Sequence, residues 1–284
     1  MRSGNPGLVL AFTSTLCYCF LNIGIRIMVA DLSMWGILIL RGAVALVIAG
    51  AAAAFLKRSL FTNNNKLLLL AIGTCSYLSS LCTIKAISLI PLYQALVLLY
   101  LYPAITVPLG YVINGDKVTG RDCLYVGLAF VGCLILVWPD SSAGLSFGIG
   151  HVGGICTCFF YAMSFVLARK LGDNNDGGIQ PLFYFGVSAV IGTALSVLLF
   201  DFNTGINETT ILPGLGLGFL AVTALLTSYA ALRWLVPFKV GIIGTLEVFG
   251  GAIASWLMFN DPITARALVG GLIILVVALK LRQS

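Results

Sequence analysis

The chain has 284 residues, of which 60% are hydrophobic and 9% charged, with a mean hydropathy of +1.05. A soluble domain is roughly half apolar and a quarter charged, so ten acidic side chains cannot solvate a water-soluble body of this size. The same scarcity of charge excludes a disordered tail, a coiled coil and a nucleic-acid module, which leaves an integral membrane protein whose net charge of +6 reads as topology.

Cutting the chain at its polar and Gly/Pro/Asn/Asp clusters gives ten apolar segments, near 7–29, 35–56, 67–88, 92–113, 121–138, 148–168, 180–200, 212–232, 240–259 and 264–281. Each is close to the ~20 residues that cross a ~30 Å hydrocarbon core. The first follows Arg2 as a secretory leader would, but its apolar run is too long, and it reads as a retained span carrying Tyr18, Asn22 and Arg26. Arg26 is near the end of that span and can snorkel to the interface, whereas Arg41 lies deeper in the second, where a pair with Asp31 or helix carbonyls is expected to anchor it. The third segment holds Ser76, Tyr77 and, near its end, Lys85, an interfacial lysine, a member of an outer gate or a partner of Asp31.

In the fourth segment Pro103 removes the amide that would bond the Leu99 carbonyl, and Pro108 does the same to Ala104. That helix should bend near mid-membrane and expose acceptors, with Tyr93, Gln94, Tyr100 and Tyr102 around the bend. The sixth carries His151 at its start, then Tyr161 and Ser164; the eighth carries Thr227, Ser228 and Tyr229. Gly150/Gly154 and Gly214/Gly218 form small-xxx-small packing faces rather than phosphate loops, because no Lys-Ser/Thr follows them. Glu247, in the ninth segment, is the only acid well inside a span. The eight cysteines fall inside apolar runs, and the two C-x-C pairs diverge by about 200° around a helix, so no metal site is expected.

Twelve of the sixteen Lys and Arg fall on the side of the N-terminus, and the other four, Arg26, Arg41, Lys85 and Arg266, lie within helices. The positive-inside rule therefore puts both termini in the cytoplasm. Sliding the sequence on itself by about 143–145 positions superposes Gly7, Val9, Tyr18 and Arg26 on Gly150, Val152, Tyr161 and Arg169, and Leu101, Asp116, Thr119 and Arg121 on Leu246, Asp261, Thr264 and Arg266. The chain reads as two five-helix halves, 1–142 and 143–284, within one membrane domain. Five is odd, so the second half enters the membrane from the opposite side, an all-α fold of ten spans in inverted-topology repeats. Tyr102 is then the repeat partner of Glu247.

Several stretches carry a resemblance: Ile39-Leu40-Arg41-Gly42-Ala43, then Lys85-Ala86-Ile87-Ser88-Leu89-Ile90-Pro91 leading into Leu99-Tyr100-Leu101-Tyr102-Pro103, and Asn114-Gly115-Asp116-Lys117-Val118-Thr119 with its echo Leu246-Glu247-Val248 and Phe259-Asn260-Asp261-Pro262-Ile263-Thr264. Their order and spacing resemble the EamA branch of the drug/metabolite transporter superfamily over essentially the whole chain. The family usually has Gly-Glu where this chain has Gly115-Asp116 and Asn260-Asp261, and Pro where it has Val248. A symmetric kink of the fourth and ninth helices is thus not implied, and Gly250-Gly251 is the expected source of flexibility in the ninth.

The resemblance implies a secondary transporter moving a small organic metabolite, amino-acid-like or otherwise amphipathic, by alternating access, with export as the expected direction. It also implies that helices 1, 3, 4, 6, 8 and 9 surround a central cavity. On those helices Tyr18, Asn22, Tyr77, Gln94 and Tyr100 are expected to contact the solute, together with Tyr102, Tyr161, Ser164, Tyr229 and Glu247. Their rings and polar tips suit a partly apolar solute. Glu247 is also the candidate for coupling to protons, since a carboxylate in hydrocarbon needs water, a partner or a proton; the alternative is a structural hydrogen bond between helices. Arg41, Lys85 and Pro103 are expected in structural or gating roles.

The alternatives are a membrane-embedded enzyme, which would need a nucleophile, acid pair or ligand cluster, and a facilitative channel, which would need ring-forming polar repeats. The sequence supplies neither pattern, and without a nucleotide-binding motif the drive must be a gradient or exchange. No cofactor, metal or nucleic acid is expected. The partners are the solute, the lipid bilayer and protons or a counter-substrate, in a monomer or homodimer at the plasma (inner) membrane.

Overall fold

The protein is described from a computed structural model, which covers residues 5–57, 59–60, 65–116, 119–137, 148–171, 178–200 and 203–259, with isolated positions from 269 to 276. Among these residues the chain is helical without strands: α1 (Asn5–Met28), α2 (Met34–Phe55), α3 (Lys66–Leu89), α4 (Leu92–Leu99), α5 (Tyr102–Asn114), α6 (Gly120–Val137), α7 (Ile149–Lys170), α8 (Ile179–Phe200), α9 (Glu208–Ala231), α10 (Pro237–Gly244) and α11 (Leu246–Phe259). Helices answer the demand that every backbone amide and carbonyl be paired within its own segment when water is absent. Among the described residues seven stretches, Lys239–Phe259 included, are long and apolar enough to cross a membrane. The first nine expected spans each correspond to helix; most of the tenth, at 264–281, lies outside the described residues, as do Asp261, Thr264 and Arg266.

The fourth and ninth spans are each interrupted. Between α4 and α5 the chain makes a turn at Tyr100 and Leu101, where the Leu101 amide falls back to the Leu98 carbonyl at 3.3 Å and Pro103 offers no amide to Leu99. The interruption in the ninth span comes at Thr245, not at Gly250-Gly251 as expected. There the Thr245 amide is shared between the Gly241 and Ile242 carbonyls at 3.1 and 3.2 Å, and the Val248 amide reaches back only to Thr245. All three glycines are closely packed: a Cβ on Gly244 would lie 2.9 Å from the Tyr100 ring, and Gly250 and Gly251 serve as seats for Cys19 and Leu96 within α11. Pro91 precedes α4 and Pro237 opens α10, so both interrupted spans begin at a proline, which is tolerated where a helix amide has no partner anyway.

α1 packs along α9, α3 along α7, and α2 along α8, while α2 also meets α9 and α3 also meets α8. By contrast, α1 and α3 touch only sparsely, as do α7 and α9. Small residues permit these approaches. Gly42 of α2 and Gly186 of α8 face one another, Gly150 and Gly154 receive Ile90 and Leu98, and Gly214 and Gly218 receive Leu40 and Val44. Phe20, Val47, Leu198 and Phe219 point outward, as expected of a lipid-facing surface. His151 accepts the Gly148 amide at its Nδ1, 3.2 Å away, and so caps the start of α7.

The α3 to α8 contact gives a stability prediction. A Cβ on Gly73 would lie 2.4 Å from the carbonyl carbon and oxygen of Tyr184, backbone that cannot swing aside. Gly73→Ala is expected to cost about 1–3 kcal/mol and lower the melting temperature in detergent. Gly127→Ala on exposed α6, where no atom lies within 4 Å, should leave it unchanged or slightly raised. Equal melting temperatures for the two variants would refute the close contact.

Candidate functional site

Facing polar residues on α1 and α3 define a cavity at the centre of the bundle. On α1, Ser14, Tyr18 and Asn22 recur every four residues, and on α3 Ser76, Ser79, Ser80 and Thr83 form a hydroxyl stripe at helical spacing. Two chambers result. The first is lined by the α3 stripe with Asn22, Arg41 and Glu247, and leaves about 30 Å³ for the centres of water-sized molecules, enough for about two waters. The second, about 10 Å³ on the same measure, lies toward the start of α1 between Ser14, Ser228, Tyr100, Tyr102 and Phe165. Tyr18 and Tyr161 line both chambers and divide them, their rings edge to face with centroids 6.1 Å apart.

Tyr161 continues the aromatic cluster. Its centroid is 4.8 Å from Tyr102 and 4.7 Å from Phe165, and Phe165 in turn lies 5.9 Å from Tyr229. Such tilted and edge-on pairs are the favoured aromatic geometry. Phe165 was not anticipated, although its position one helical turn beyond Tyr161 is the signal that would have found it.

Glu247 sits in the first turn of α11, just past the interruption, and is 1% exposed. Asn22 Nδ2 donates to its Oε1 and the Tyr100 hydroxyl to its Oε2, so one carboxylate joins α11 to α1 and to the turn after α4. The helix start also favours a negative charge there. Glu247 therefore makes the interhelical hydrogen bonds of the structural alternative while also lining the first chamber.

Tyr229 and Ser164 stand one layer behind the cavity. The Tyr229 hydroxyl pairs with Ser76 Oγ at 2.6 Å and with Ser164, whose Oγ donates to the Tyr161 carbonyl at 2.9 Å. Tyr77 does not join them: it turns toward α8, where a Cβ on Gly192 would lie 2.6 Å from its ring. Lys85 is half-buried near the end of α3 and lines neither chamber. Pro103 packs on Gly241 of α10, and the side chain of Gln94 lies outside the described residues. Arg41 departs from its expected anchoring to Asp31 or to carbonyls. It lines the first chamber and donates from Nη2 to Ser80 Oγ at 3.4 Å.

An arginine hydrogen bond clasps a helix pair beyond each chamber. Beyond the first chamber, Arg26 Nη1 of α1 donates to the Ile87 carbonyl of α3 at 2.6 Å. Beyond the second, Arg169 Nη1 of α7 donates to the Leu232 carbonyl after α9. Each clasp joins a sparsely packed helix pair. Beside Arg169, burial pushes the Asp116 carboxyl above the usual carboxylate range, and the Arg169 charge and an Asn114 hydrogen bond pull it back.

The sequence profile of the EamA-like transporter family matches residues 5–138 and again 148–281. A protein crystal structure superposes with a TM-score of 0.77, at 15% identity, covering 98% of each chain. No curated protein matches the sequence significantly.

Proposed function

The chain belongs to the EamA-like transporter family, and from that premise we propose that it is a secondary transporter which carries a small organic solute, amino-acid-like or otherwise amphipathic, by alternating access and in the direction of export. The observation that carries this reading is a cavity with a Tyr18–Tyr161 partition at its middle and an arginine clasp at either end. In this reading α1 with α9 forms one wall and α3 with α7 the other. One clasp opens at a time, and with both closed the cavity is occluded.

The ten-span, inverted arrangement is part of the proposal. Exchanging α1 with α7, α2 with α8, α3 with α9, α4 with α10 and α5 with α11 turns the main pairings into one another: α1 on α9 into α7 on α3, α2 on α9 into α8 on α3, and α4 on α11 into α10 on α5. The clasps exchange likewise, since Arg169 is the repeat partner of Arg26. Both termini are then cytoplasmic in a plasma (inner) membrane. Single cysteines introduced at Asn64 and Asn203 in a cysteine-free background test this, with only Asn203→Cys expected to react with an impermeant thiol reagent on intact cells. Reaction at Asn64→Cys would overturn the orientation.

Transport itself is tested by counterflow. Proteoliposomes preloaded with one unlabelled amino acid should transiently accumulate its radiolabelled form for at least one member of the standard set. Flux equal to that of protein-free vesicles throughout would overturn the amino-acid reading of the solute.

A further inference from the structure

Arg41 has the burial of a binding residue and almost none of the partners of a structural one. It is 4% exposed, and among the described residues its one hydrogen bond is the long contact to Ser80 Oγ. Its Nε is buried with no partner at all. The ring of Phe185 lies 5.9 Å from the guanidinium carbon, at the limit of a cation–π contact. A guanidinium carries five donors in a rigid planar fork, and such a charge is costly to keep in a membrane interior without an anion. Arg41 is one of the residues that line the first chamber, beside the hydroxyls of Ser79, Ser80 and Thr83.

The same chamber has Glu247 in its lining, with Tyr18 and Tyr161 as the other large side chains. The cavity thus presents a cation and a carboxylate in one enclosed space, which selects against any solute carrying charge of only one sign. We propose that Arg41 is the carboxylate subsite of this cavity. The solute's carboxylate lies in the guanidinium fork, with the α3 hydroxyls completing its hydrogen bonds, and its cationic nitrogen is directed toward Glu247. A phosphate would bring more negative charge than one arginine balances and would be repelled by Glu247. The proposal rests on the cavity of the transport reading and adds to it what that cavity recognises.

The test uses purified full-length protein, with binding followed by melting temperature and by titration. The probes are the standard L-amino acids, each beside its carboxamide, which keeps the ammonium and side chain but removes the negative charge. At least one free acid is expected to raise the melting temperature, with its carboxamide bound at least about tenfold more weakly, as befits a charge-assisted pair. Arg41→Lys, which keeps the charge and loses the fork, should weaken the acid by about tenfold or more while leaving the ligand-free melting temperature within a few degrees of the parent. Equal binding of acid and carboxamide, binding of no free acid, or an unchanged affinity in Arg41→Lys would each overturn the subsite. If Arg41→Lys does not fold, the comparison of acid with carboxamide on the native protein decides alone. A solute that moves in counterflow as readily when its carboxylate is amidated overturns the subsite but leaves the transport reading standing.

Discussion

Glu247→Gln is expected to abolish accumulation driven by a pH gradient while sparing exchange at saturating solute, because the amide oxygen that replaces the carboxylate still accepts from the solute's cationic nitrogen. The substitution keeps the volume and one acceptor oxygen. Its amide group then meets either Asn22 or the Tyr100 hydroxyl, the two donors that serve the carboxylate. Asn22 can turn its amide to offer oxygen, so the helices stay joined and the change in stability should be about 1 kcal/mol. Glu247→Leu strands both buried donors and should cost about 1–3 kcal/mol for each. What Gln cannot do is take up and release a proton. One proton per solute gives about tenfold accumulation for each pH unit of gradient, and in proteoliposomes that ratio should fall to one in Glu247→Gln with counterflow preserved. Accumulation with unchanged pH dependence would exclude coupling through this residue. Loss of counterflow even at saturating solute, in a folded variant, would restrict Glu247 to solute binding.

Breaking either clasp should open one end of the cavity and not the other. Arg26 and Arg169 each hold a backbone carbonyl across a helix pair that is otherwise sparsely packed. A hydrogen bond from a charged donor is worth about 1.5–3 kcal/mol, so removing one should raise the open fraction at that end by about tenfold or more. Thr83 reports on the first chamber and Thr15 on the second, and each hydroxyl bonds only within its own helix turn or to a neighbouring hydroxyl, which makes cysteine a mild replacement. In a cysteine-free background, Arg26→Gln should speed modification of Thr83→Cys from outside by about tenfold without affecting Thr15→Cys from inside. Arg169→Gln should do the reverse. Unchanged rates in both would remove the clasps from the gating mechanism, and acceleration at both ends by one substitution would replace alternating access with a leak.

The span boundaries, the bend at Pro103 and the matched arginines were legible because each rests on local chemistry: run length, a missing amide, or identity at a repeat spacing. Helix rotation was not legible. In a soluble protein the polar face of a helix marks its outside, but here lipid and protein interior are equally apolar and the hydrophobic pattern is nearly the same all round. Tyr77 and Tyr18 look alike in sequence, and only the space left by Gly192 turned Tyr77 toward α8 while Tyr18 faced Tyr161. The α3 hydroxyl stripe was readable at positions 76, 79, 80 and 83, yet which wall it would line depended on α3 packing against α7 and α8.

The sequence by itself determined that the chain lives in a membrane, where nearly all its helices begin and end, that it is built from two related halves, and that a single acid lies deep in a span. Composition, breakers and internal repetition are properties of the chain alone. The tertiary structure decided that the ninth span breaks at Thr245, where Gly244 passes the Tyr100 ring, and that Glu247 has Asn22 and Tyr100 as partners. It also decided that Arg41 lines a cavity instead of pairing with Asp31 or helix carbonyls. Those outcomes depend on which side chains from distant segments occupy the same space, and in a bilayer that choice is made by close packing and by pairing of buried polar groups rather than by hydrophobicity.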